Sequence, residues 1–155
     1  MDVTVRTVYE APRALVAAVA ADPARAIRWN GHVHRARWRG EPVLEEGATF
    51  DLVSSVLGRE MVTTYRVLDH VPGERLVTRT EHGPYPLEVT MTWWDEEPGP
   101  SGPRTGMVLR RAGRPPAMST LGSGAVTLGM RRAMRRDLER LRLVLREEAG
   151  SRPAG

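Results

Sequence analysis

At 155 residues the chain fits one domain able to bury a core without cross-links. With no cysteine it excludes disulfides, thiolate metal sites and cysteine nucleophiles. All 23 basic residues are arginine and 19 acids oppose them, so the net charge of +4 points to no particular partner; arginine without lysine, beside abundant Ala, Gly and Pro, fits the coding bias of a GC-rich bacterial genome.

The opening segment, Val3 to Val8, alternates small apolar and polar residues with the period of a half-buried strand. Pro12 suits a first helical turn, and Arg13 to Ala20 follows as a helix. Asp22-Pro23 starts a second, short helix that runs to about Trp29 and ends at Asn30-Gly31. Strands are then predicted over His34–Arg39, Ala48–Val56, Glu60–Asp69, Arg75–His82, Leu87–Trp93 and Thr105–Arg111. Gly40-Glu41-Pro42, Glu46-Gly47, Gly58, Pro72-Gly73 and Gly83-Pro84 separate them, and Glu96 to Pro103 is expected to be a long exposed hairpin loop.

Within these strands Phe50, Leu52, Ser54 and Val56 share one face, as do Met61, Thr63, Tyr65 and Val67, and again Leu87, Val89, Met91 and Trp93. After Pro115-Pro116 a long helix carries one apolar stripe, Met130, Met134, Leu138, Leu141 and Leu145, which Leu121 and Ala125 extend backward. Residues 1–149 are expected to form one ligand-binding domain and 150–155 a disordered tail. The fold class is α+β: a curved antiparallel sheet wrapped around a long C-terminal helix, with two short helices after the first strand.

This order of elements resembles the helix-grip proteins, which include START domains, Bet v 1-like allergens and the polyketide cyclase/dehydrase group. The likeness spans about Val3 to Glu148. It rests on W-x-x-x-V at Trp29–Val33, E-E-G-A-T-F at Glu45–Phe50, Y-R-V-L-D-H-V-P-G-E-R-L-V at Tyr65–Val77, T-G-M-V-L at Thr105–Leu109 and the closing helix. The resemblance implies a cavity between sheet and helix that takes lipids, polyketides or other apolar molecules, with a minority of relatives catalysing cyclisation, dehydration or hydrolysis there.

No catalytic signature stands out. His32 and His34 share a side of a strand and, with Glu45 or Glu46, offer an imidazole–carboxylate set, but they sit beside Arg35 and Arg37, so no metal is expected. His70 reads as a solvent-facing turn residue, and His82 as a pocket-mouth acid or base or, more simply, a surface residue. Gly122-Ser123-Gly124 lacks the strand–turn–helix context of a nucleophile elbow, and the glycines up to Gly129 fail the dinucleotide fingerprint, so no cofactor is expected. The arginines of the last helix alternate with acids and lack interleaved aromatics, which argues against nucleic acid. No stretch is apolar and long enough to cross a bilayer, and Met1 to Arg6 lacks the design of a signal peptide, so a cytoplasmic protein is expected, its oligomeric state left open, a homodimer included.

The expected function is binding of a small apolar ligand by Trp29, Trp38, Phe50, Tyr65, Met91, Trp93 and Met107, oriented by Tyr65, His82 and Tyr85. A polyketide cyclase/dehydratase-like enzyme and a protein-interaction accessory factor are the alternatives.

Overall fold

A computed structural model describes residues 1–151, the side chains of Val56 and Met118 excepted. The elements follow as β1 (Asp2–Tyr9), α1 (Arg13–Ala21), a single 3-10 turn leading into α2 (Ala26–Trp29), β2 (Val33–Trp38), β3 (Thr49–Val56), β4 (Arg59–Val71), β5 (Arg75–His82), β6 (Leu87–Gly99), β7 (Gly102–Gly113), α3 (Met118–Leu121) and α4 (Ser123–Ser151). Asp22 caps the 3-10 turn by accepting the Ala24 amide at 3.0 Å, with Pro23 at the first position where a missing N–H costs nothing.

The seven strands of the described residues make one antiparallel sheet ordered β1-β7-β6-β5-β4-β3-β2, so β2 to β7 pair consecutively, β1 joins beside β7, and β1 and β2 form the two edges. Such a sheet twists and curls, and its concave side receives the helices: this is the α+β helix-grip arrangement. The cross-strand registers set the faces. Trp38 lies opposite Phe50, Phe50 opposite Tyr65, Leu76 opposite Met91, and Met91 opposite Leu109, which faces Val5. Those side chains belong to the apolar core or pack against it, together with Met134, Leu138, Leu141, Val144 and Leu145 of α4.

Helix α4 is tied to both edges of the sheet. On the β1 side the Tyr9 hydroxyl donates to the Leu138 carbonyl at 2.7 Å, and the Arg142 guanidinium lies 4.8 Å over the Tyr9 ring. Arg142 also donates to the Val8 carbonyl and Arg131 to the Thr4 carbonyl, each at 2.9 Å. On the β2 side the Gly31 amide, in the turn before β2, donates to Asp137 at 3.0 Å, and Arg25 and Arg28 pair with Glu147 and Glu148. Helix α1 fills the remaining space, burying Leu15, Val16, Val19 and Ala20.

Several expectations change. The hairpin of β6 and β7 runs through most of Glu96–Pro103, leaving Pro100-Ser101 at its tip, because Pro98 sits where the register shifts between Glu96 and Gly99 and no ladder N–H is needed. Leu121 is two-thirds exposed and Ala125 exposed, so the apolar stripe begins at Met130: Gly122, at φ 82°, breaks the helix between them. His70 is half-buried and its Nδ1 lies 2.7 Å from the Leu44 carbonyl, securing the β2–β3 loop. Helix α4 continues through Gly150 and Ser151, and the rest of the expected tail, 152–155, lies outside the described residues.

The convex face carries ion pairs beside apolar residues such as Val53 and Trp94. Asp51 is fully buried there, accepting from Arg39 at 2.8 Å, Arg37 at 3.2 Å and the Thr64 hydroxyl at 2.7 Å. Burial alone would raise its carboxyl, and the hydrogen bonds from Arg39, Thr64 and Arg37 outweigh that and hold it below the ordinary carboxylate range. Its stabilising contribution is therefore present above about pH 4 and lost as the pH falls through the lower folded value. Urea midpoints of wild type and Asp51→Asn should differ at pH 7 and converge in acid; a constant gap would dissociate Asp51 from the acid transition. Tyr9→Phe, which removes the buried hydroxyl bonded to Leu138, is expected to cost about 1 kcal/mol in the same assay.

Candidate functional site

The concave face divides into two halves. Over β1, β7 and the far end of β6, α1 and the C-terminal part of α4 close completely: Tyr9, Met107, Leu109, Leu138 and Leu141 are at most 2 % exposed. Over β2 to β6 the same face mixes buried Phe50, Val67, Leu76 and Thr78 with side chains that are covered only in part. Trp38, Leu52, Tyr65, Tyr85, Met91 and, from the helix above, Met130 pack against the core yet stay half-buried. Helix α4 makes its main approach to the sheet at β1.

The residues singled out in the sequence part along this division. Trp38, Phe50 and Tyr65 come together: the Trp38 and Phe50 rings meet edge-on at 5.8 Å, and Phe50 stacks on Tyr65 at 5.7 Å. Tyr85 and Met91 pack against the same core and are also half-buried. Trp29, Trp93 and Met107 lie in the closed core, and the indole N–H groups of Trp29 and Trp93 are buried without a partner among the described residues. His82 is exposed at the end of β5. His32 and His34 are exposed, and the register shift between Val33 and Arg35 sets His34 beside Glu60, at 3.8 Å, away from Glu45 and Glu46.

Two residues absent from the sequence expectations, Arg111 and Asp137, form a buried charged pair between β7 and α4. Val67, Thr78, Val89, Arg111 and Val3 form one row across five strands, and Arg111 is its only ionic member. Its guanidinium lies 3.8 Å from the Met130 sulfur and 3.7 Å from Asp137 Oδ2. Asp137 points inward from α4 and is 3 % exposed; its Oδ1 accepts from Gly31 and Arg140, while Oδ2 has no hydrogen bond among the described residues. Burial pushes the Tyr65 and Tyr85 phenols above their ordinary range, and the nearby Arg111 charge opposes the shift at both. Strand alternation was the available signal: Thr105, Met107, Leu109 and Arg111 occupy every second position of β7, and Asp137 lies three residues after Met134 on the buried stripe.

Two concavities among the described residues lie on the outside. One of about 480 Å³ runs along Arg135, Glu139, Leu143 and Arg146 of α4, and one of about 370 Å³ lies between the end of β1 and α4 at Glu10, Arg104 and Arg142. Both are walled by arginine and suit an apolar ligand poorly.

The architecture recurs in solved structures. The Zhui aromatase/cyclase of Streptomyces sp. R1128 superposes with a TM-score of 0.73 at 20% identity, covering 100% of this chain and 98% of that one. A protein of Thermus thermophilus gives 0.71 at 17% identity, covering 98% and 100%. A protein of Rhodobacter sphaeroides gives 0.69 at 18% identity, covering 94% and 92%. At such identities these likenesses speak for the fold. No curated protein matches the chain. Residues 1–146 match the family described as polyketide cyclase/dehydrase and lipid transport, and the chain belongs to that family.

Proposed function

We propose that the protein binds a small apolar molecule, ring-containing or acyl, in the cleft between the concave face of β3–β6 and the first turns of α4. The observation that carries this reading is the contrast within one face: half is closed by helices, while inward-facing Trp38, Leu52, Tyr65 and Met91 remain half-buried. Apolar side chains with a few convergent polar groups are the usual lining of a small-molecule site. Membership of a family that joins cyclases and dehydrases to lipid transport supports the same class of ligand. Among the described residues no helix is long and apolar enough to cross a membrane.

The ligand-binding reading gives two measurable outcomes. Methoxynaphthalene, as a neutral aromatic probe, should be taken up saturably, and Leu52→Trp, which fills the cleft, should weaken uptake about tenfold or more while Leu143→Ser on the outer face of α4 leaves it unchanged. Saturable uptake indifferent to Leu52→Trp would move the ligand out of the cleft. In a near-ultraviolet pH titration none of Tyr9, Tyr65 and Tyr85 should ionise at the ordinary value of about 10, because burial raises all three. A phenol titrating at that ordinary value would mean a water-filled cleft.

A further inference from the structure

Arg111 and Asp137 form a buried pair whose hydrogen-bonding capacity is left largely unused. The guanidinium carries five N–H donors, and among the described residues its hydrogen-bonding partner is a methionine sulfur, a weak acceptor. At 3.7 Å from Asp137 Oδ2 it lies beyond hydrogen-bond reach, and Oδ2 itself accepts nothing. Donors without an oxygen acceptor thus face a buried acceptor without a donor, beside the half-buried Met130. One oxygen that both accepts and donates satisfies the two together: it takes a hydrogen bond from Arg111 and gives its own proton to Asp137 Oδ2. A hydroxyl does this; an ether cannot donate, and a carboxylate would bring a second negative charge against Asp137.

Resting on the apolar-ligand reading above, we infer that Arg111 and Asp137 form a hydroxyl-recognition site, so that the ligand is an apolar molecule bearing a neutral alcohol or phenol oxygen. The pair selects that group against the corresponding ether and carboxylate. Tyr65 and Tyr85 stand near the same guanidinium, as the influence of Arg111 on both phenols indicates, and hold the ring or chain to which the hydroxyl is attached.

The test is a binding series with naphthol, methoxynaphthalene and naphthoate, which share one apolar body. Wild-type protein should bind naphthol at least about tenfold more tightly than either of the others, since a hydrogen bond to a charged group supplies that much. Asp137→Asn, which removes the repelling charge, should improve naphthoate binding relative to naphthol. Arg111→Met alone strands a buried carboxylate and can unfold the chain, so the decisive variant is Arg111→Met/Asp137→Leu, which removes both charges together. That double variant should keep methoxynaphthalene binding and lose the preference for naphthol. Equal affinity of wild type for naphthol and methoxynaphthalene overturns hydroxyl recognition and leaves the apolar site standing, as does naphthoate binding more tightly than naphthol. Failure of all three probes to bind overturns both.

Discussion

Both edges of the sheet are fastened to one helix, and the rest of the architecture depends on that constraint. Tyr9 and Arg142 hold α4 to β1, while Gly31 hands its amide to Asp137 on the side of β2. A twisted seven-stranded sheet would otherwise be free to splay. Pinned at its two ends to the same α-helix, it stays curled, and the side chains on its inner surface converge on a common interior. The fastening is concentrated between Arg131 and Glu148, so the first turns of α4 stand over the inner surface with much less holding them to it. The closed core beneath the C-terminal part of α4 follows from that attachment.

Arg111 and Asp137 are costly in that interior. Removing two charges from water takes several kcal/mol per ion before their attraction is counted, and a pair separated by 3.7 Å recovers less than one in direct hydrogen bonding. A leucine and a methionine would fill the same volume at no such cost. Asp51 on the convex face makes the contrast plain: it too is buried, yet Arg37, Arg39 and Thr64 all hydrogen-bond to it. The chain can satisfy a buried carboxylate completely, and it leaves Asp137 half satisfied in the interior between sheet and α4.

Much of the fold was legible because strand alternation and helical period are written locally. The faces built on Phe50, Tyr65 and Met91 followed from a period of two, and the stripe from Met130 to Leu145 from a period near 3.6. What escaped depended on long-range placement. A shifted register in β2 turns His34 away from the carboxylates expected beside it, which no local pattern announces. Leu121 looked like part of the apolar stripe until Gly122 broke the helix. Trp29, Trp93 and Met107 were legible as buried aromatic and sulfur-bearing bulk, but whether bulk lines a cleft or fills a core depends on where α1 and α4 come to rest. Arg111 and Asp137 were hidden by their chemistry: in an arginine-rich chain a charged residue at an inward position is easily taken for surface, though its parity said otherwise.

The arginines that bind α4 to β1 have a consequence for how molecules of this protein behave toward one another. An antiparallel sheet that does not close leaves backbone carbonyls and amides along its outer strands, and a foreign strand can dock there and extend the sheet. Along β1 the Thr4 and Val8 carbonyls are already occupied by Arg131 and Arg142. Along β2 the displaced register at Val33 makes the margin irregular, and the long side chains of Arg35, Arg37 and Arg39, held by Glu60 and Asp51, stand along it. The guanidinium groups that steady the fold therefore also keep its two open margins from nucleating aggregation.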